Sequence, residues 1–220
     1  LIASDPDGSG TGNYVNITTW LPGRVRLGPL NLDAIDELAK IAVIIHGTPV
    51  SDDLRPRRYE FWAPDDLEIP SWTSRPALWR RAIDIFSQSP PPSTHGLVHR
   101  DFHPGNILWV GDRITGVIDW AETSWGPPDL DVMHSRANFA MLHDFDSADA
   151  FSYCYRWHGG LLDDDHDAQV FWAVSDILGF LPDPTEIITA LIHHRTDLSD
   201  QVVRERLEHL LSITLGETRH

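Results

Sequence analysis

The feature that most constrains the fold is a short block of strand-forming sequence, residues 96–120, set between regions of helical periodicity. Within it, two β-branched apolar runs at 107–110 and 114–118 flank Gly111-Asp-Arg113, which predicts a hairpin. A second β-rich run, residues 14–20, follows turn-forming residues 5–12 and predicts another hairpin. Apolar residues at helical spacing predict helices over residues 31–46, 74–88, 129–143, 147–158, 166–180, 185–195 and 199–214. The predicted fold class is therefore α+β and mostly α-helical.

The composition excludes several classes of protein. The chain has 220 residues, a formal net charge of −16 and a single cysteine, Cys154. That charge argues against binding nucleic acid through its phosphates, and one cysteine cannot build a disulfide framework. No apolar run approaches the roughly 18 residues of a membrane span, and no leader segment is visible after Leu1. We therefore expect a cytoplasmic protein that contacts neither membrane nor nucleic acid.

The chemistry concentrates in residues 99–106, which read His-Arg-Asp-Phe-His-Pro-Gly-Asn. This is the H-R-D-x-x-x-x-N pattern of a phosphoryl-transfer loop, and Asp119 follows at the end of an apolar strand. Such a reaction needs a carboxylate to orient the attacking hydroxyl, here Asp101, and hard oxygen ligands for Mg²⁺, here Asn106 and Asp119. Because the predicted hairpin runs out and back between Asn106 and Asp119, we expect these two residues to lie close together.

Three segments together resemble the aminoglycoside phosphotransferase and choline kinase-like family, which has the protein-kinase-like fold. They are Leu97-Val-His-Arg-Asp-Phe-His-Pro-Gly-Asn-Ile-Leu-Trp109, Gly116-Val-Ile-Asp-Trp120 and Gly126-Pro-Pro-Asp-Leu-Asp-Val132. The resemblance implies ATP (or GTP) and Mg²⁺ as cofactors and a small-molecule hydroxyl as acceptor. It implies that Asp101 is the catalytic base, that Asn106 and Asp119 bind the metal and nucleotide, and that Asp131 is structural. His99, Arg100 and His103 belong to the same catalytic loop, with His99 supporting its geometry.

The chain departs from that family in its nucleotide lobe. The family's five-stranded sheet carries a glycine-containing phosphate loop, a strand lysine and a helix glutamate, none of which can be found here. Lys40, the only lysine, lies inside a predicted amphipathic helix, and Gly8–Gly12 is better interpreted as a turn. We therefore expect residues 1–24 to be remnant strands and the interlobe linker, and residues 25–220 to form the C-terminal lobe. In that lobe residues 97–120 would carry the catalytic loop and residues 129–220 the helical substrate-binding portion, and this truncated chain would turn over slowly if at all.

Acidic residues are concentrated in the second half of the chain. Residues 111–220 contain 20 acidic and 7 basic residues. By the resemblance, acids of this lobe could hold a cationic acceptor, while the simpler interpretation is an acidic, soluble surface. The candidates for contact with such an acceptor are Glu122, Asp129, Asp144, Asp146 and Asp176.

Two other hypotheses stay open. The alternation His99-x-Asp101-x-His103 could ligate a transition metal, although zinc would need further spaced ligands. His134 and His143 lie on a predicted helix with no evident partner pattern. Alternatively, the chain could be a non-catalytic kinase-like binding module whose exposed hinge strands pair with a second copy to form a homodimer.

Overall fold

The computed structural model describes residues 2–13, 15–193 and 195–217. Tyr14 and His194, which the sequence assigns to a strand and a helix, lie outside the described residues, as do Leu1 and residues 218–220. The helices are α1 (Leu32–His46), α2 (Pro76–Phe86), α3 (Asp129–Leu142), α4 (Phe145–Trp157), α5 (His166–Leu178), α6 (Pro184–Ile187), α7 (Thr189–Ile192) and α8 (Asp200–Thr214). No helix within the described residues has the length and apolar character needed to cross a membrane.

Side-chain caps account for where several of these helices begin. Asn31 accepts a hydrogen bond from the amide of Ala34 at the start of α1, and Ser199 accepts one from Val202 at the start of α8. Asp144 caps α4 in the same way through the amide of Ser147, so this helix begins two residues earlier than predicted.

The prediction of one helix over residues 185–195 is wrong. The structure has two short helices, α6 and α7, separated at Ile188. The side chain of Thr189 donates to the backbone oxygen of Thr185 at 2.6 Å. Such a bond competes with regular helical bonding and favours a bend, so the segment forms two turns around one side of a cavity.

The strands pair into three antiparallel two-stranded sheets. They are β1 (Ala3–Asp5) with β2 (Val15–Ile17), β3 (Gly96–Val98) with β6 (Ser124–Gly126), and β4 (Ile107–Val110) with β5 (Arg113–Val117). Both predicted hairpins are therefore confirmed, whereas the pairing of β3 with β6 was not predicted. Within the described residues no sheet exceeds two strands, and the expectation that the chain represents only a C-terminal lobe stays a prediction.

The chain between β2 and α1 is attached to the β4–β5 hairpin. Arg24 and Trp109 exchange two backbone hydrogen bonds of 3.0 Å. Gly23, with φ of +132°, allows this approach, because a Cβ there would lie 2.7 Å from the Thr115 hydroxyl oxygen.

Helix α3 is the centre of the helical body. It packs against α4, α5 and α8, and all of its residues except Arg136 are buried. A helix buried on all sides is held by its neighbours rather than by one amphipathic face. Its first turn lies beneath the loop that follows β3, so the core of the protein supports that loop directly.

Candidate active site

The loop after β3 brings the three predicted chemical residues to one cavity. A short 3₁₀ turn, Pro104–Asn106, leads from the loop into β4, and the amide of Ile118 donates to the backbone oxygen of Asn106 at 2.9 Å. This bond holds the two ends of the hairpin together. Asp101, Asn106 and Asp119 all line a cavity of about 580 Å³, which we call the catalytic-loop cavity.

Asp131, in the first turn of α3, holds the backbone of this loop. Its carboxylate accepts from the amide of His99 at 2.7 Å and from that of Arg100 at 2.6 Å, and also from His46 Nε2 at 2.9 Å. Burial acts to raise the pKa of Asp131, but these donors outweigh it and lower the pKa. Arg100 has φ of +75°, a strained conformation that these bonds stabilise.

His99 and Arg100 support the loop from two sides. His99 accepts from the amide of Asp101 at Nδ1, and its Nε2 donates to the backbone oxygen of Ile118 at 2.9 Å. Burial lowers the pKa of His99, which keeps the ring neutral and suits this pair of bonds. The guanidinium of Arg100 lies over the ring of Trp62 and donates to the backbone oxygen of Glu60. Both side chains therefore hold the loop in place, and neither is among the described residues that line the catalytic-loop cavity.

Asp101 is surrounded by hydrogen-bond donors. Its Oδ1 lies 3.2 Å from His134 Nε2 and 3.4 Å from His103 Nε2, and its Oδ2 accepts from Asn106 Nδ2 at 2.8 Å. Burial acts to raise the pKa of the Asp101 carboxyl, but the hydrogen bonds and charges of the two histidines hold it well below its usual range. Asp101 is therefore a fixed anion.

The hydrogen bonding of His103 bears on the transition-metal hypothesis. Ligand atoms of Asp101, His103 and His134 all lie within 4.8 Å of one another, as a metal site would require, whereas His99 lies outside this group. However, the amide of Gly105 donates to His103 Nδ1 at 3.0 Å, so the nitrogen that donates to Asp101 is Nε2. His103 therefore presents a donor rather than a lone pair to the group, and the arrangement favours a hydrogen-bonded carboxylate.

His134 is the site residue that sequence reasoning missed. From α3 its imidazole bridges Asp101 and Asp176, with Nδ1 lying 3.1 Å from Asp176 Oδ1, and it stacks on Phe180 with an interplanar angle of 2°. Burial acts to lower its pKa, but the two carboxylates raise the pKa of His134 to about 9. Its two carboxylate partners lie on the catalytic loop and on α5, so no pattern within α3 could indicate them.

Asn106 and Asp119 fit a divalent cation. The amide nitrogen of Asn106 faces Asp101, donating to both its backbone oxygen and its Oδ2, which leaves Oδ1 as the oxygen available to an ion. Asp119 lines the same cavity with φ of +61°. Amide and carboxylate oxygens are ligands that Mg²⁺ accepts.

The acidic candidates for acceptor binding separate into two groups. Glu122 lines the catalytic-loop cavity and pairs with Arg57 at 2.6 Å, and Asp176 lies behind His134. Three others lie elsewhere: Asp129 borders a different cavity, Asp144 caps α4, and Asp146 lines a surface groove beside α4. None of these last three is among the described residues that line the catalytic-loop cavity. The apolar walls of the catalytic-loop cavity, formed by Trp62, Phe180, Ile187, Ile188, Ala190 and Leu191, had no motif that could have revealed them.

Comparison with known proteins shows to which family a chain with this fold and site belongs. A family model described as the phosphotransferase enzyme family matches residues 1–168, and the chain belongs to this family. No curated protein matches the sequence closely enough to count as a relative.

Solved structures of similar fold have low sequence identity to this chain. A spectinomycin phosphotransferase in complex with ADP and spectinomycin is 16% identical, with a TM-score of 0.61 over 89% of this chain and 70% of that one. A putative aminoglycoside phosphotransferase from Ralstonia eutropha is 17% identical, with a TM-score of 0.63 over 99% and 78% of the two chains. A choline/ethanolamine kinase family protein from Mesorhizobium loti is 16% identical, with a TM-score of 0.52 over 84% and 63%. At these identities the likeness shows a shared fold.

Proposed function

We propose that the protein is a Mg²⁺- and ATP-dependent O-phosphotransferase that acts on a hydroxyl of a small molecule. One observation carries this proposal: Asp101, Asn106 and Asp119 line the same cavity, and Asp101 is held there as an anion. The family membership of residues 1–168 supports the same class of reaction.

Asp101 orients the acceptor hydroxyl and receives its proton. Asn106 donates a hydrogen bond to Oδ2 of Asp101, and His103 and His134 lie close to its Oδ1. The carboxylate is therefore held in place before a substrate binds. A carboxylate of low pKa is a weak base, which suits a loose transition state in which the hydroxyl loses its proton late. Its main contribution is therefore positioning.

Asn106 Oδ1 and the Asp119 carboxylate are the groups that would hold Mg²⁺. When bound, the Mg²⁺–nucleotide complex supplies the transferable γ-phosphoryl group and neutralises part of its charge. His99 keeps both ligands in place, because its bond to the backbone of Ile118 ties the end of the hairpin to the loop.

The walls of the cavity indicate the type of acceptor. Trp62, Phe180 and Leu191 form an apolar side, while Glu122, which pairs with Arg57, provides an acidic group on the same cavity. This combination suits a hydroxyl-bearing cationic acceptor, such as an aminoglycoside whose ring faces stack on the apolar side, or another cationic molecule with an apolar portion. Asp176 is buried behind His134, so we assign it to support of Asp101 rather than to the acceptor.

The test combines turnover with metal binding. The full-length protein is incubated with ATP, Mg²⁺ and a panel of aminoglycosides, macrolides, choline-like alcohols, amino acids and sugars, and phosphorylated product is detected by mass spectrometry. We expect product from at least one acceptor, and loss of that product in Asp119→Ala. Asp112→Ala, an exposed position at the turn of the same hairpin, is the matched control.

Metal binding provides a readout without turnover. Mn²⁺ should broaden the amide resonances around Asn106 and Asp119 in the wild-type protein and in Asp112→Ala, and not in Asp119→Ala. Product from Asp119→Ala at the wild-type rate would contradict the metal role. Metal and nucleotide binding without phosphorylation of any acceptor would instead favour the non-catalytic binding module.

A further inference from the structure

A second cavity is bordered by His46, the side chain that bonds to Asp131 beneath the catalytic loop. It measures about 590 Å³ and is bordered by α1, α3 and α4 and by the loops at 92–96 and 159–163. We call it the α1–α4 cavity. None of its lining residues lines the catalytic-loop cavity, and its volume lies within the range of small-molecule sites.

The α1–α4 cavity contains one buried carboxylate with almost no partners. Asp129 is 3% exposed, and its Oδ1 accepts one long hydrogen bond, 3.3 Å, from the amide of Asp163. The other donor to this carboxylate among the described residues is its own backbone amide. Burial raises the pKa of Asp129 to about 6. A buried carboxylate normally has paired or hydrogen-bonded surroundings, so this one lacks its complement.

The other lining residues indicate what kind of group would pair with Asp129. The described residues that line the cavity include no lysine or arginine, and the nearby Arg156 pairs with the exposed Asp164. Val43, Tyr155, Leu161 and Leu162 form an apolar and aromatic part of the wall, and Asp163 adds a second acid. The polar part of the wall is formed by Ser93, Thr94, His46 and His95. A carboxylate with no lysine or arginine partner, set beside apolar and aromatic side chains, suits an ammonium group carried on a hydrophobic body.

We propose that the α1–α4 cavity is a binding site for a small organic ammonium compound, whose positive group pairs with Asp129. This site is separate from the acceptor site of the proposed reaction and does not depend on that reaction. It has a direct structural link to the catalytic loop, because Tyr155 and His46 border the cavity and His46 also bonds to Asp131.

The test compares two probes that differ in charge. The protein is titrated with 2-phenylethylamine and with 2-phenylethanol, its neutral counterpart, and amide shifts are followed by two-dimensional NMR. The amine has no hydroxyl to phosphorylate, so the measurement is independent of turnover. We expect the amine to bind at least about 10-fold more tightly than the alcohol and to shift the amides of Gly160 and Asp163.

Three variants test whether the amine binds in the α1–α4 cavity. Asp129→Asn keeps the shape of the side chain and removes its charge, and should weaken amine binding at least about 10-fold. Asp167→Asn, an exposed acid in the first turn of α5, should leave binding within about twofold because its charge is screened by solvent. Thr94→Trp, at an exposed position on the cavity border, should block the amine without altering the core, and covers the case in which Asp129→Asn fails to fold.

Three outcomes would overturn the proposal. They are equal binding of the amine and the alcohol, unchanged amine affinity in a folded Asp129→Asn or Thr94→Trp protein, and amide shifts confined to residues around Asp101.

Discussion

Asp101 borders one cavity and Asp129 the other, and the hydrogen-bond surroundings of these two carboxylates are opposite. Asp101 has three side-chain donors around it, and its pKa lies well below the usual range. Asp129 has one long bond from a backbone amide, and its pKa is raised to about 6. The two cavities are nearly equal in volume, so size does not account for the contrast.

The difference follows from what surrounds each group. Burial acts to raise both pKa values, and only Asp101 receives enough donors to reverse the effect. A carboxylate with its donors in place can orient a substrate group without first reorganising. A carboxylate without them takes up a proton or binds a cation, so the surroundings of an acid indicate which of the two tasks it suits.

The largest effect is expected from Asp101→Asn, which removes the fixed anion while keeping its shape. The acceptor hydroxyl loses both its orienting group and its proton acceptor, so kcat should fall by about 10²–10⁴-fold. The measurement is the rate of phosphoryl transfer with an acceptor found in the panel, and Asp164→Asn is the control. A rate for Asp101→Asn within threefold of the wild-type protein would remove Asp101 from the mechanism.

A second prediction concerns His134, which distinguishes the surroundings of Asp101 from those of Asp129. His134→Gln leaves Asp176 buried without its cation, which should cost about 3–5 kcal/mol in the free energy of unfolding. Denaturant unfolding measures this cost, and His166→Gln, at an exposed position, is the control. The double variant His134→Gln/Asp176→Asn removes the stranded charge and should recover part of the loss.

The pH dependence of His134 has a definite sign. Its pKa in the folded protein, about 9, lies above the unfolded value of 6.5. Its contribution to stability is therefore complete below pH 6.5 and is lost as the pH rises through about 9. The wild-type protein should show this loss and His134→Gln should not. Identical slopes in the two proteins would contradict a charged His134.

Asp129→Asn should reverse the usual effect of removing an acid. The pKa of Asp129 is about 6 when folded and 3.8 when unfolded, so its favourable contribution is present below pH 3.8 and lost as the pH rises through about 6. That loss amounts to at most about 3 kcal/mol. The variant should therefore become more stable than the wild-type protein near pH 7, as measured by denaturant unfolding at several pH values. Destabilisation throughout would mean that Asp129 has a strong partner in the folded protein.

Much of the fold could be predicted because its signals are local. The β4–β5 hairpin follows from two apolar runs around Gly111, and α1 begins where Asn31 can cap it. The pairing of β3 with β6 could not be predicted, because it joins segments far apart in the chain. The break between α6 and α7 depends on one threonine side chain that bonds back to the helix backbone.

The candidate site also has residues that could be predicted from the sequence and residues that could not. Asp101, Asn106 and Asp119 could be selected because their spacing carries a motif, and their roles stay proposals. His134 could not be selected, because its two carboxylate partners lie on the catalytic loop and on α5 and meet it only in the folded protein. The acidic candidates show the same limit, since an excess of negative charge does not indicate which cavity an acid borders.

The smallest effect is expected at the structural link between the two cavities. Tyr155 Oη lies 2.7 Å from His46 Nδ1, and His46 in turn bonds to Asp131 beneath the catalytic loop. Tyr155→Phe removes only the hydroxyl, so it should cost about 1 kcal/mol in the free energy of unfolding. Tyr153→Phe, an exposed tyrosine of the same helix, should cost less.

The rate of phosphoryl transfer by Tyr155→Phe tells how far the two cavities are coupled. Asp131 retains its bonds to the amides of His99 and Arg100 in this variant, so the catalytic loop should keep its position and kcat should change little. A loss of kcat as large as that of Asp101→Asn would mean that the hydroxyl of Tyr155 holds the loop through His46. In that case an occupant of the α1–α4 cavity would act on the same hydrogen bonds that position Asp101, and the two carboxylates would belong to one functional unit.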